Sequence, residues 1–224
     1  MDYVERLVRL GRLTTEQWGL VTAEQARQVG VDASALAEFS KAGLLSRAGE
    51  GVFQLAGAPL PAHLDIKVAW LRLEPDRLAW HRQSGASGVV SHSSACLMHG
   101  LGDLPTGVVE FLTEPGADAS RAAGVRFHHV PRMDSGQITL IDGLPVTAVE
   151  RTIQDLLRAG LDGGHIGGVV ADAVRRGLVD RHALASHIAP FAAEYQLPFP
   201  AGGFELMDHL LAAAGERFPL SADG

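Results

Sequence analysis

Three glycines set the strongest limit on how this chain folds, and all lie between Leu20 and Leu55. Two close short, apolar-striped stretches and the third sits at the tip of an alternating one. Thr22 precedes Ala23, Ala26 and Val29, with Gln25 three residues after it. A hydroxyl there accepts from the free N–H groups of a starting helix, and the glutamine returns a bond to the cap. Gly30 follows where a helix closing in a left-handed residue requires it. Asp32 opens a second helix in which Leu36 and Phe39 share one side, while Ser34, Glu38 and Lys41 point elsewhere and Gly43 ends the run. Leu44–Arg47 and Val52–Leu55 then read as strands around a tip at Ala48–Gly51. Two helices joined by so short a turn cross steeply, as in a helix-turn-helix, and the hairpin stands where a wing would.

An outward helix of this kind suits the major groove. On that reading Ser34, Glu38 and Lys41 face bases, and Thr22, Arg27 and Arg47 meet phosphates on either side. Charge bounds the affinity, because nonspecific binding to duplex comes mainly from Lys and Arg displacing counterions. Residues 1–58 carry six Lys and Arg against seven Asp and Glu, and the whole chain nets -7. A single copy therefore grips DNA weakly. Two copies on an inverted repeat, or several on neighbouring repeats, would supply affinity through effective concentration.

With 224 residues and 46% hydrophobic content the chain can bury a full core and divide into a small and a larger domain. Pro59 and Pro61 mark the division, giving a winged helix-turn-helix over 1–60 and a second domain over 61–224, with 61–87 as a helical connector. The lone Cys96 has no internal disulfide partner, the start lacks the pattern of a signal peptide, and no apolar run reaches the ~20 residues of a membrane span. A cytoplasmic location is expected.

The expected fold class is α+β, with short strands followed by helices in the larger domain. Tyr3–Leu13 reads as a leading helix, and Thr14 with Gln17 as a second capping box. Leu64–Leu73 and Asp76–His81 read as helical pieces broken by Pro75. Strands are expected at 88–90, 108–112, 125–130, 137–141 and 144–146, the last two around an Asp142-Gly143 hairpin turn. Ser91–His99 reads as a helix ended by Gly100. Thr147 with Glu150 signals a helix to Arg158, and three more follow, striped by Ile166, Val169 and Val170, by Leu184 and Ile188, and by Leu206, Leu210 and Leu211.

Catalytic groupings are absent from this pattern. His92 and His99 lie about two turns apart, and His128 and His129 alternate across a strand, so no metal set is expected. Ser91 and Ser94 lack a Gly-x-Ser-x-Gly elbow, and at least one is expected to cap the helix. Gly163-Gly164 and Gly167-Gly168 lack the Gly-Lys-Ser/Thr of a phosphate loop. Glu150, Arg151, Thr152 and Asp155 fit capping, an i,i+4 pair and back-bonding. Glu150, Arg151 and Asp155 alternatively face a partner protein or a second copy.

The segment Val90-Ser91-His92-Ser93-Ser94-Ala95-Cys96-Leu97-Met98-His99-Gly100-Leu101, then Leu112-Thr113-Glu114-Pro115, then Asp142-Gly143-Leu144-Pro145-Val146-Thr147 and Glu150–Leu157, resembles the AbiEi antitoxin family. Gly43-Leu44-Leu45-Ser46-Arg47 leading to Gly51-Val52-Phe53 is similar to the winged helix that precedes that block. The resemblance covers roughly residues 20–180. It implies a type IV toxin-antitoxin or abortive-infection system, in which the winged helix binds inverted repeats in its own promoter and represses it. The second domain then counters a nucleotidyltransferase-like toxin, with no cofactor and no chemistry of its own. The alternative is that this domain is an enzyme reversing the toxin's modification. Relatives often carry arginines in the second helix and at the wing tip, where this chain has Ala37, Glu38, Ala48, Gly49 and Glu50. Some relatives of the second block end in a nuclease-like domain, but no Asp followed by Glu-x-Lys occurs here on adjoining strands.

Overall fold

Each helix of the N-terminal unit starts at a side chain that satisfies backbone donors left open by its first turn. In the computed structural model, which describes residues 2–82, 87–105, 107–114, 124–130, 133–198 and 200–216, α1 (Tyr3–Thr15) starts from Asp2, whose carboxylate accepts from Glu5 N at 2.7 Å. A short strand, β1 (Leu20–Thr22), leads into α2 (Ala23–Gln28), where Thr22 and Gln25 form the reciprocal capping box. Gly30 turns the chain at φ 82°. Asp32 accepts from Ala35 N at 2.9 Å and starts α3 (Ala33–Lys41). The strands β2 (Leu45–Gly49) and β3 (Val52–Leu55) complete an antiparallel sheet of order β1-β3-β2. Its register pairs Leu20 with Gln54 and Arg47 with Phe53. The sequence offered no signal for β1, a three-residue strand that exists only through its pairing with β3.

Leu10, Val21, Ala26, Val31, Ala35, Leu36, Phe39 and Leu45 form the core of this unit. The N-terminal helix and strand region fits a winged helix. Its wing departs from expectation at the tip: β2 runs on to Gly49, a bulge falls between Arg47 and Gly49, and the turn is Glu50-Gly51. Gly49 is there for packing, since a Cβ on it would meet Val68 Cγ1 at 2.5 Å.

The following elements are α4 (Leu64–Leu73), β4 (Val89–Val90), α5 (His92–His99), β5 (Val109–Thr113), β6 (Val125–His129), β7 (Ile138–Ile141), β8 (Leu144–Thr147), α6 (Val149–Arg158), α7 (Gly163–Arg175), α8 (Arg181–Ile188) and α9 (Gly203–Ala213). The fold is thus a mixture of helices and sheets. A second sheet has the order β6-β5-β4-β8-β7, with β4 and β8 parallel and Val90 opposite Val146. Asp142 and Gly143 both take positive φ, 49° and 78°, as a tight hairpin between β7 and β8 demands.

By contacts the chain divides into Met1–Val89 with Leu112–Pro131 and Asp142–Pro145, and Val90–Phe111 with Arg132–Ile141 and Val146–Gly224. In the second unit Leu101, Ile153, Leu157, Ile166, Val169, Val170, Leu184, Ile188, Leu206, Met207 and Leu210 form the core. α7 and α9 approach closely at Gly167, where a Cβ would lie 1.9 Å from the carbonyl oxygen of Leu210.

Three expected starts are corrected. Thr14 does not cap a helix: its hydroxyl donates to Gly11 O at 3.1 Å inside the last turn of α1, and Gln17 is buried against Gln25 instead. Residues 76–81 form only a short 3-10 turn at Ala79–His81. The carbonyls a helix would use there are taken by α2, since Pro75 O accepts from Thr22, Asp76 O from Gln28 and Arg77 O from Gln25. Thr147 ends β8 and hydrogen-bonds Thr152 at 2.7 Å, so the N-cap of α6 is Ala148 without a side-chain bond.

Candidate nucleic-acid interface

Burial of Ala35, Leu36 and Phe39 decides which side of α3 looks outward. With that face held in the core, Ser34, Ala37, Glu38 and Lys41 are all exposed on the other. A helix places residues three and four apart on one stripe, so Ser34, Glu38 and Lys41 line up along it. The wing carries Arg47, exposed, with Nε donating to Gly49 O at 3.3 Å. Arg27 is 69% exposed and paired with Glu24 at 3.0 Å.

Thr22 is corrected as a phosphate contact. It is 1% exposed, its hydroxyl accepts from Gln25 N at 3.1 Å, and it donates to Pro75 O. The one proton of the hydroxyl is used inside the fold, leaving none to donate to a phosphate. Around it lies a polar knot that sequence reasoning missed. Gln17 and Gln25 bond each other, and Gln17 also accepts from Ala79 N at 3.0 Å and donates to Leu20 O at 3.1 Å. Two glutamines eight residues apart give no pattern that could have flagged the pair.

The wing tip is electrically quieter than its sequence implies, because Glu50 pairs with Arg72 of α4 at 2.5 Å. Lys67, also on α4, is wholly buried, ion-paired with Asp142 and 5.2 Å from the ring centre of Trp18. These residues border a cavity of about 600 Å³ whose other walls include Leu55, Pro59 and Pro61.

In the second unit, the partner-facing assignment of Arg151 and Asp155 is corrected. Arg151 is 8% and Asp155 3% exposed; they pair at 2.8 Å, and Arg151 also donates to Gln137 at 2.7 Å. Glu150 is half-buried and meets His187 at 3.1 Å. The candidate histidines sit in separate settings. His92 is 3.0 Å from Ser91 Oγ, His99 hydrogen-bonds Thr147 O at 2.8 Å, His129 hydrogen-bonds Thr113 at 3.0 Å, and His128 lies beside it on β6. Neither serine caps α5 through its hydroxyl. Ser94 Oγ accepts from Glu110 N at 3.0 Å, and the Glu110 carboxylate takes the Ser93 N–H at 3.0 Å. Burial, reinforced by the Glu110 charge, pushes the Cys96 thiol up to about 12, which makes it inert. The glycines at 163–168 lie within α7 rather than in a loop.

The crystal structure of the RV2827C protein from Mycobacterium tuberculosis superposes with a TM-score of 0.55 at 18% identity, covering 96% of this chain and 78% of that one, a likeness of fold. No curated protein matches the chain. Residues 9–56, from the second half of α1 to the end of the wing, match the family described as transcriptional regulator, AbiEi antitoxin. Over those residues, therefore, the N-terminal unit is similar to the AbiEi antitoxin transcriptional regulators.

Proposed function

We propose that the chain is the antitoxin and autorepressor of a type IV toxin-antitoxin pair, binding inverted repeats in its own promoter through α3 and the wing. The observation that carries this reading is the outward stripe Ser34–Glu38–Lys41 on a helix whose opposite side is fixed in the core. Arg27 and Arg47 flank it as phosphate contacts. The second unit counters a nucleotidyltransferase-like toxin without chemistry of its own, its buried Arg151–Asp155 pair serving the fold. Because the N-terminal unit is not basic, affinity comes from more than one copy on repeated half-sites.

A mobility-shift titration of the full chain on the promoter of its own gene tests the DNA half. Binding is expected to fall steeply with salt and to collapse when one half-site is scrambled; equal affinity for the scrambled duplex overturns the reading. Arg47→Ala is expected to weaken binding about evenly across sequences and to lower the salt slope by about 1, the signature of one lost phosphate contact. Lys41→Ala is expected to cost about 1–3 kcal/mol on the operator and to relax specificity at one position. For the antitoxin half, co-expression with the adjacent toxin gene is expected to restore growth, and failure to do so removes that part.

A further inference from the structure

Four helical acids in this chain are answered by an arginine one turn on. Glu5 pairs with Arg9 at 2.8 Å, Glu24 with Arg27 at 3.0 Å, Asp155 with Arg158 at 3.1 Å and Asp172 with Arg175 at 2.9 Å. On α3 the same spacing is present, with Lys41 three residues after Glu38, yet neither has an ion-pair partner among the described residues. A bare carboxylate on the outward stripe of a groove-entering helix is costly, because it repels phosphates and lowers affinity for any duplex. It is useful only where a base edge offers a donor.

Resting on the reading of α3 as the helix that enters the groove, we infer that Glu38 is the specificity-determining residue and selects a cytosine. In the major groove cytosine presents the N4 amino group, a pure donor, to a carboxylate. Guanine and thymine present acceptors, and adenine places its N7 acceptor beside its N6 donor, so a carboxylate is repelled by all three to some degree. Ala37, adjacent and exposed, brings a methyl group that suits a thymine methyl. Lys41 lies about 4.5 Å further along the helix axis, close to one base-pair rise, and donates to guanine O6 or N7. The device trades grip for selectivity, which fits a unit with more acids than bases.

Selection from a random duplex pool with the full-length chain, run in parallel for wild type, Glu38→Gln and Glu38→Ala, tests it. The wild type is expected to fix C·G at one half-site position with about tenfold preference. Glu38→Gln is expected to move that position to A·T, because a glutamine amide matches adenine N6 and N7 together. Glu38→Ala is expected to leave it open and to raise affinity for random-sequence DNA about threefold. A gained adenine preference cannot arise from misfolding. The same preference in all three proteins overturns this inference alone, whereas a wild type that enriches no sequence overturns it together with the DNA-binding reading.

Discussion

Lys67 places an ammonium group, 0% exposed, on a helix otherwise buried through Ile66, Val68, Ala69, Trp70 and Leu71. Its counter-charge, Asp142, keeps about half its side chain in water. Removing one partner of a buried pair strands the other, whereas replacing the ammonium by a similar apolar volume costs less. Asp142→Asn preserves a residue that tolerates the φ of 49° and is expected to destabilise by about 2 kcal/mol, less than a fully buried pair because water reaches the carboxylate. Lys67→Met, packed beside Trp18 and the cavity wall, is expected to cost less in the same urea titration. A larger loss for Lys67→Met contradicts this account. Lys67 did not stand out in the sequence, and Asp142 did so only as a turn residue. A lysine in a helix reads as surface, and only the hairpin that carries Asp142 to within reach explains its burial. Glu38 and Lys41, in contrast, were placed outward by spacing alone, since Leu36 and Phe39 leave them no other direction.

At the scale of elements, glycines separate into those that turn the chain and those that let segments touch. Gly30, Gly43 and Gly100 take φ of 82°, 73° and 67° after helices, which a sequence pattern announces. Gly167 and Gly168 are neighbours in α7 and look equivalent in sequence, but only the former faces the Leu210 carbonyl. Gly167→Ala is expected to force α7 and α9 apart and to lower stability by about 3 kcal/mol. Gly168→Ala, with nothing within 4 Å of its new methyl, is expected to raise it by about 0.5–1 kcal/mol through helix propensity. Thermal melts of the two variants decide between packing and propensity; equal effects would refute the distinction. Capping follows the same division. Thr22 and Asp32 cap the helices their positions announce, because a cap bonds only its own next turn. Thr147 fails because its hydroxyl finds Thr152 instead.

At the scale of the whole molecule, one contribution to the pH response comes from a half-buried base in the second unit. His99 hydrogen-bonds the Thr147 carbonyl at 2.8 Å, and because a carbonyl can only accept, Nε2 carries a proton. Burial holds its pKa below the ordinary 6.5, with Arg176 adding to that effect and the carbonyl bond partly opposing it. The unfolded chain thus binds this proton at higher pH than the folded one. The resulting stability is full above about 6.5 and declines as pH drops from there toward the folded pKa. Urea midpoints measured at pH 7.5 and at pH 5.5 are expected to differ, and the difference to shrink in His99→Gln. An imidazole proton resonance of His99 titrating at or above 6.5 would contradict the assignment.

What the chain's order of residues determined by itself is local: the longer helices, the caps at Thr22 and Asp32, the glycine stops, the Asp142-Gly143 turn and the outward stripe of α3. Each depends on interactions within a few positions, which are the interactions a linear pattern records. Tertiary structure alone decided the rest. It enlisted Leu20–Thr22 as a third strand, used up the Thr22 hydroxyl, tied Glu50 to Arg72, and turned Arg151 and Asp155 inward. The physical reason is that a polar side chain takes whichever partner the fold brings within about 3 Å, and that partner is commonly tens of residues away.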